Sequence, residues 1–266
     1  MTEQVSYVAQ DDWDRHRQAY TEVAERNPSQ RYRRHLVLSH LEKNGCGPAA
    51  RILDIGSGQG DLALDLHRRF PGTQIAGLEL SAMGVEVSTC KVPSALFLQR
   101  NLLQPAVDLG QLREWAQFAV CSEVLEHVDD PALFLHHASE YLAPGSTLVV
   151  TVPGGPKSEY DLHIGHRRHF TPACIRTLLE TAGFQVDLAT GAGFPFFNLY
   201  RLVVVARGKR LISDVESNAK GWSSLLARAV MSIFHPLFAL NLTNARLGWQ
   251  IVAVARVKDS IESDHG

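Results

Sequence analysis

Three glycines at alternate positions, Gly56, Gly58 and Gly60, separate an apolar run that ends at Ile55 from an apolar-periodic stretch that begins at Leu62. Glycines at a turn from strand to helix let the backbone approach a ligand closely, and the N-terminus of the following helix favours anions. The stretch "LDIGSGQGDLALDL" therefore predicts that the chain cradles a cofactor at this turn.

The spacing of the glycines restricts which ligand can bind. A nicotinamide or flavin site usually has the pattern G-x-G-x-x-G, but Asp61 stands where that pattern has its third glycine. No Gly-Lys-Ser or Gly-Lys-Thr follows, which excludes a P-loop. Asp54 would repel a pyrophosphate and attract a cation, whereas Glu79, at the end of the next predicted strand, can accept both hydroxyls of a ribose. S-adenosylmethionine, which has a ribose, a positive charge and no phosphate, fits this description.

The elements that must position these residues follow one another in an α/β order. From Arg51 onward, short β-rich runs alternate with helical patterns, which predicts a doubly wound, mostly parallel sheet. Helices are predicted between the strands, among them "LGQLREWA" at 109–116 and a helix at 172–182. The predicted strands cover residues 51–56, 74–80, 95–101, 117–124, 146–153, 184–190 and 249–257.

The same pattern divides the chain into a core and appended segments. After residue 192 the alternation of strands and helices breaks, and two apolar helical stretches, near 195–208 and 222–240, precede the last predicted strand. We predict an N-terminal helical cap at 1–50, a cofactor-binding α/β core at 51–192, a helical insertion or lid at 193–248, the last core strand at 249–258 and a tail at 259–266.

Four motifs resemble those of the class I S-adenosylmethionine-dependent methyltransferases, in particular the small-molecule branch that includes quinone-biosynthesis enzymes. They are "LDIGSGQG", "LEL" around Glu79, "CSEVLEHVDDP" at 121–131 and "GHRRHFTPACIRTLLETAGF" at 165–184. The resemblance spans about Arg51 to Gln185. It implies a seven-stranded, Rossmann-like methyltransferase fold and S-adenosyl-L-methionine as the cofactor.

The resemblance also implies which residues bind the cofactor. The glycine turn would pass under the methionine part, with Asp54 near its ammonium group, and Glu79 would hold the ribose. Asn101 stands where the family often has an aspartate beside the adenine, and its amide can still bond the exocyclic amine. The implied cofactor-binding residues are Asp54, Gly56, Ser57, Gly58, Gly60, Glu79, Leu80, Asn101, Leu102, Ser122 and Glu123.

Methyl transfer from a sulfonium is a direct displacement, which needs alignment and exclusion of water, and usually a base where the acceptor is a hydroxyl or an ammonium group. Histidines that follow the fourth strand, or belong to "DLHIGHRRHF", are candidates for that base; loop-ordering roles are the alternative. We expect no metal, because no cysteine and no convincing carboxylate set completes this run, and Arg167 and Arg168 would repel a cation. The candidate catalytic residues are His127, His166, His169 and Arg168, the last as a possible anion binder.

The insertion indicates the character of the acceptor. It contains "GFPFFNLYRLVVVARGKR" and "WSSLLARAVMSIFHPLFALNL", and Arg228, His235 and Pro236 in the second stretch argue against a transmembrane helix. We expect a lid over a hydrophobic acceptor; a peripheral membrane contact, a homodimer interface and plain core packing are the alternatives. Residues that could line such a pocket are Phe194, Phe196, Phe197 and Tyr200.

The composition is that of an ordinary globular enzyme. The 266 residues carry 26 Lys and Arg against 28 Asp and Glu, so no excess of positive charge indicates nucleic acid. The four cysteines form no CxxC pair and the N-terminus does not resemble a signal peptide, which favours the cytoplasm. We expect methyl transfer to a small, hydrophobic or anionic acceptor, at oxygen in preference to nitrogen or carbon, both of which stay open. A non-catalytic S-adenosylmethionine-binding protein and an NAD-dependent oxidoreductase are the alternatives.

Overall fold

The seven predicted strands match the observed ones to within a few residues, the largest difference being the start of the fifth strand at Leu142. The computed structural model describes residues 28–106, 108–216, 232–234 and 236–258. Its strands are β1 (Arg51–Ile55), β2 (Gln74–Glu79), β3 (Leu96–Gln99), β4 (Ala116–Ser122), β5 (Leu142–Pro153), β6 (Phe184–Ala192) and β7 (Gln250–Val257). Its helices are α1 (Pro28–Lys43), α2 (Asp61–Arg69), α3 (Ala82–Lys91), α4 (Pro131–Ser139), α5 (Glu159–His163), α6 (Pro172–Thr181) and α7 (Phe196–Glu216).

The seven strands form one sheet in the order β3-β2-β1-β4-β5-β7-β6. All neighbouring pairs are parallel except the two that β7 makes, with β5 and with β6. The strand order reverses at β1, between β2 and β4, and ligands of such sheets bind outside the carboxyl ends of the strands at that point. The predicted doubly wound, mostly parallel fold is confirmed, and its crevice lies at the glycine turn.

The core lies on both faces of the sheet. Alternate residues of β1 enter different apolar clusters: Leu53 and Ile55 pack with residues of α4 and α6, whereas Ile52 packs with residues of α1 and α2. Helices thus cover both faces, and the strands that carry the glycine turn are buried. This packing fixes the carboxyl edge of the sheet as a rigid platform.

The prediction of a helix at 109–116 is wrong. Only Gly110–Leu112 is helical there, as a short 3-10 turn, and Ala116 already belongs to β4. Gly110 and Glu114 have positive φ angles of 54° and 49°, a region that a right-handed helix excludes. A segment with two such residues turns and does not propagate a helix.

The insertion before β7 contains α7, whose backbone is non-helical at Gly208. Most of the second predicted helix, 222–240, lies outside the described residues, as do 1–27 and the tail at 259–266. Where the chain is described again, Phe234 and Phe238 pack against Tyr32 of α1 and Phe197 of α7. Phe197 is therefore a core residue and not a pocket wall. Among the described helices, none combines the length and apolar character that crossing a membrane requires.

Candidate cofactor and acceptor site

The glycine turn connects β1 to α2 and is tied to the end of β2. The backbone amides of Gly56 and Ser57 both donate to the carbonyl oxygen of Leu78, at 2.8 and 3.0 Å. A Cβ on Gly56 would lie 2.5 Å from Val124 Cγ2, so the loop after β4 closes against this glycine. At Gly58, by contrast, φ is 58° and a Cβ would point into open space. The turn is therefore fixed on one side and open on the other, as a cofactor cradle requires.

Glu79 lies beside this turn, as predicted. Its carboxylate accepts hydrogen bonds from the amides of Gly58 at 2.8 Å and Ser81 at 3.0 Å, and the residue is buried. A carboxylate oxygen has lone pairs for more than one donor. The same group can hold the turn in place and accept hydroxyl donors from a ligand.

Asp54 and Ser57 contribute buried polar atoms that the described part of the chain leaves without hydrogen-bond partners. These atoms are one carboxylate oxygen of Asp54, Oδ2, and the hydroxyl of Ser57. Burial, together with the nearby negative charge of Glu79, raises the pKa of Asp54 to about 7. A buried polar atom without a partner is costly. A ligand that brings a cationic donor to Asp54 would offset this cost.

The residues expected around the adenine have different environments. Leu80 is partly exposed, and Asn101 accepts the amide of Leu103 at 3.0 Å through its side-chain oxygen. Leu102 is buried in the core, and its carbonyl contacts His137 Nδ1 at 2.9 Å. Leu80 and Asn101 thus follow the carboxyl ends of β2 and β3, while Leu102 supports them from the core.

Ser122 and Glu123, at the end of β4, are held by their neighbours. The hydroxyl of Ser122 lies 2.8 Å from that of Thr151. The carboxylate of Glu123 pairs with Arg33 Nε at 3.0 Å and accepts from Gln250 Nε2 at 2.8 Å. Glu123 has a φ of 57°, a strained conformation for this residue type. Its side chain therefore joins α1 and β7 to the end of β4.

The structure brings the three candidate histidines together. The rings of His127 and His166 are 4.8 Å apart in an edge-to-face arrangement. His166 Nδ1 lies 3.2 Å from His169 Nε2, and His169 Nδ1 lies 3.0 Å from the carbonyl oxygen of Gly155. Burial lowers the pKa of both His166 and His169, and a charge on His127 would lower that of His166 further. His166 and His169 are therefore neutral at pH 7.

Glu126 completes this cluster and is missing from the sequence-based set. It is 0% exposed, and one carboxylate oxygen lies 3.9 Å from Nε2 of His127 and 3.9 Å from Nε2 of His166. Neither carboxylate oxygen has a hydrogen-bond partner within the described ranges. Burial and the nearby charge of Glu123 raise the pKa of Glu126 well above its usual value. Its position next to His127 is the one signal in the sequence that points to it.

Asp161 and Arg201 border the histidines on the other side. The two side chains form a bidentate ion pair, with nitrogen–oxygen distances of 3.1 and 2.8 Å. Burial alone would raise the pKa of Asp161, but the hydrogen bonds and charge of Arg201 hold it well below its usual value. Asp161 also caps α5 through Ser158. This carboxylate is ionised and fully engaged.

Arg168 differs from the other catalytic candidates in its contacts. Its guanidinium donates to the carbonyl oxygen of Asp129 at 3.0 Å, and the neighbouring Arg167 pairs with the carboxylate of Asp129. Both arginines therefore bind the loop that precedes α4. Within the described residues, Arg168 forms no hydrogen bond with a histidine of the cluster.

A family model described as a methyltransferase domain matches residues 29–189. The chain belongs to this methyltransferase family. It is an S-adenosylmethionine-dependent methyltransferase, and its cofactor is S-adenosyl-L-methionine. The oxidoreductase and the non-catalytic binding protein, the two alternatives from the sequence, are therefore set aside.

This methyltransferase is similar to enzymes of several organisms. It is 27% identical over 178 residues to the ubiquinone biosynthesis O-methyltransferase of Aeromonas salmonicida, across 60% of this chain and 74% of that one. To the enzyme of the same name from Xanthomonas campestris it is 31% identical over 172 residues, across 58% and 71% of the two chains.

A solved structure agrees with the fold. Phosphoethanolamine N-methyltransferase 2 of Haemonchus contortus, in complex with S-adenosyl-L-methionine, matches with a TM-score of 0.55 and 18% sequence identity. The match covers 85% of this methyltransferase and 52% of that chain. At this identity the likeness supports the fold alone.

Proposed function

We propose that this methyltransferase methylates an oxygen atom of a small, partly hydrophobic acceptor that binds at the histidine cluster. The observation that carries this proposal is the convergence of His127, His166 and Glu126, with Glu126 and His127 in the same loop as Val124, which packs against Gly56. A hydroxyl acceptor must lose its proton during the reaction, and the imidazole and carboxyl groups of this cluster are side chains of the kind that can accept it. The Aeromonas and Xanthomonas relatives are O-methyltransferases, which supports oxygen as the target.

In this proposal, the methionine part of the cofactor passes over the turn formed by Gly56, Ser57, Gly58 and Gly60. Asp54 receives the ammonium group, which would satisfy the buried oxygen that has no other partner in the described chain. Glu79 accepts the ribose hydroxyls while it keeps the amide of Gly58. The remaining contacts would come from Leu80, Asn101 and Leu102 at the adenine and from Ser122 and Glu123 near the sulfonium.

The acceptor side of the site is formed by His127, His166 and His169. In this proposal Arg168 belongs to the rim of the site, because its guanidinium donates to the carbonyl oxygen of Asp129. A hydrophobic acceptor is supported by the insertion, in which Leu199 and Leu202 of α7 are about half exposed. Four further exposed apolar residues of the insertion are Ile233, Leu240, Leu242 and Leu247. We propose that these side chains cover the acceptor; a lipid surface or a second copy of the chain would use the same face.

A competition between matched acceptors tests the oxygen assignment. The full chain is incubated with labelled S-adenosylmethionine and either an alkyl-substituted catechol or the corresponding diamine. We expect label in the catechol product and little in the diamine, because the proposal places a hydroxyl acceptor beside side chains that can take its proton. Transfer to the diamine alone would contradict the proposal while leaving the methyltransferase assignment intact. Calorimetric titration with S-adenosylhomocysteine and with NADH, in parallel, checks that the cofactor site is functional.

A further inference from the structure

We propose that Glu126, His127 and His166 form a binding site for one divalent transition-metal ion at the carboxyl end of β4. Each residue offers one ligand atom, and the three atoms lie within 4.8 Å of one another. Two imidazoles and one carboxylate are a ligand set that holds zinc in hydrolases and iron(II) in oxygenases. An ion with bonds of about 2.1 Å would need the side chains to close by roughly one ångström.

The hydrogen bonds around His166 determine which of its nitrogens can bind a metal. The carbonyl oxygen of Gly155 only accepts, so His169 must donate to it from Nδ1, and Nε2 of a neutral His169 is then an acceptor. His166 therefore donates to His169 from Nδ1. The lone pair of a neutral His166 is left on Nε2, the atom 3.9 Å from Glu126. Metal-binding histidines are oriented in this way, with the other ring nitrogen donating to a second group.

The carboxylate of Glu126 supplies an independent indication of a ligand. It is completely buried, it points at Nε2 of both His127 and His166, and neither oxygen is hydrogen-bonded within the described ranges. A distance of 3.9 Å is too long for a hydrogen bond. A cation between these three groups would compensate the buried carboxylate.

A second group with metal-binding side chains, Asp161, His166 and His169, is the weaker alternative. Both oxygens of Asp161 are already bonded to Arg201, and one also accepts from Ser158. His169 uses Nδ1 for Gly155 and Nε2 for His166. His169 therefore positions His166, Asp161 is held by Arg201, and the proposed metal would bind on the side of His166 that faces Glu126.

The charges around the site permit a cation. Arg167 and Arg168, which the sequence suggested would repel one, are both bound to Asp129. Arg33 pairs with Glu123 at 3.0 Å, which offsets part of its charge, although that charge still lowers the pKa of His166. The expectation that the chain holds no metal rested on the lack of a carboxylate beside the histidines, and Glu126 supplies that carboxylate.

The role that we assign to the metal in catalysis rests on the proposed function, methyl transfer to a hydroxyl acceptor. Three protein ligands leave coordination positions open, and an acceptor hydroxyl bound at one of them would lose its proton more readily. The oxygen then attacks the methyl carbon: the O–CH3 bond forms, the S–CH3 bond breaks and its electron pair stays on sulfur. The products are the methyl ether, neutral S-adenosylhomocysteine and one proton, which the acceptor releases when it binds the metal.

Metal binding is tested on the untagged full chain after dialysis against EDTA and then metal-free buffer. The protein is titrated with Zn2+ by calorimetry and with Co2+ by visible absorption. We expect one equivalent per chain and cobalt d–d bands typical of nitrogen and oxygen ligands. Glu126→Gln and His166→Gln should each weaken zinc binding at least tenfold. His163→Gln, a change at the end of α5 and outside the cluster, should leave it unchanged.

Titration with S-adenosylhomocysteine confirms that every sample is folded and separates the two proposals. A wild-type protein that binds S-adenosylhomocysteine but takes up no stoichiometric Zn2+ or Co2+ overturns the metal site and leaves the acceptor assignment. Undiminished metal binding in Glu126→Gln and His166→Gln also overturns it. Stoichiometric metal without methylation of any hydroxyl acceptor would contradict the proposed function alone. If a variant fails to fold, the wild-type cobalt spectrum still decides between the outcomes.

Discussion

Asp161 and Arg201 form a buried, bidentate ion pair that connects α5, just before the loop carrying His166 and His169, to α7. Arg201→Met would leave the buried carboxylate of Asp161 without its counter-charge. We expect the free energy of unfolding to fall by about 3–5 kcal/mol, because an unpaired buried charge is costly. Urea unfolding of the two single variants and of Asp161→Asn/Arg201→Met measures the effect. The free energy of unfolding of the double variant should fall by less than the sum of the losses in Asp161→Asn and Arg201→Met. A loss equal to that sum would contradict the pairing.

Asp54 makes cofactor affinity dependent on pH. Burial raises its pKa to about 7, so its carboxyl is largely protonated in the unliganded protein at pH 5.5. An ammonium group requires the ionised form. Between pH 5.5 and 7.5 the Kd for S-adenosylhomocysteine should therefore fall by about tenfold or more. Calorimetry across this range measures the change, and Asp54→Asn should bind more weakly with a nearly constant Kd.

The raised pKa of Asp54 also predicts that the unliganded protein becomes less stable as the pH rises, whereas its affinity for the cofactor increases. An aspartate whose pKa is raised on folding binds its proton more tightly in the folded state. Its contribution to stability is complete below the unfolded pKa of about 3.9 and is lost as the pH rises through about 7. The stability of wild type relative to Asp54→Asn should decline from pH 5 to pH 8 in urea unfolding. A difference that is constant with pH would contradict the raised pKa.

Gly56 and Gly58 should respond differently to an added methyl group. At Gly56 a Cβ would meet Val124, whereas at Gly58 it would enter open space that we assign to the cofactor. Gly56→Ala should therefore destabilise the protein more than Gly58→Ala, for which we expect about 1 kcal/mol from the positive φ. Gly58→Ala should instead raise the Kd for S-adenosylhomocysteine. Thermal unfolding and calorimetry on both variants distinguish the two effects.

Glu79 should contribute to cofactor binding through the ribose. Glu79→Ala removes a hydrogen-bonding carboxylate, and we expect the Kd for S-adenosylhomocysteine to rise about tenfold to a hundredfold. Glu86→Ala, an exposed glutamate on α3, is the matched control and should bind normally. An unchanged affinity in Glu79→Ala would remove Glu79 from the site.

His169 should act on the acceptor side without touching the cofactor. It accepts from His166 and donates to Gly155, so His169→Ala would release the ring of His166. We expect turnover to fall about tenfold to a hundredfold, as when a supporting partner of a functional histidine is removed. The Kd for S-adenosylhomocysteine should stay within about twofold. Loss of cofactor affinity would mean that this loop belongs to the cofactor site.

The order of elements was predictable because each buried strand is a short apolar run bounded by turn residues. The glycine turn and Glu79 were predictable for the same reason, because the turn begins directly after β1 and Glu79 is the last residue of β2. The helix expected at 109–116 failed because positive φ angles at Gly110 and Glu114 are set by the local chain path and not by apolar periodicity.

Contacts between residues far apart in the chain could not be predicted from the sequence. Gln250 and Glu123 are 127 positions apart, and Gln250 and Arg33 are 217 positions apart, yet the three meet at the end of β4. Glu126 and His166 belong to different loops, and their approach depends on the parallel pairing of β4 with β5. No spacing rule within one segment could reveal these pairs.

The position of β7 has a consequence for how the chain is made. This strand lies between β5 and β6 and is the only partner of β6 among the described strands, yet it follows the whole insertion. More than fifty residues separate the end of β6 from the start of β7, so during synthesis β6 can pair with β7 only after residues 250–257 have left the ribosome. Gln250, at the start of β7, reaches Glu123 only then. The link between β7 and the end of β4 therefore forms only after the whole insertion has been made.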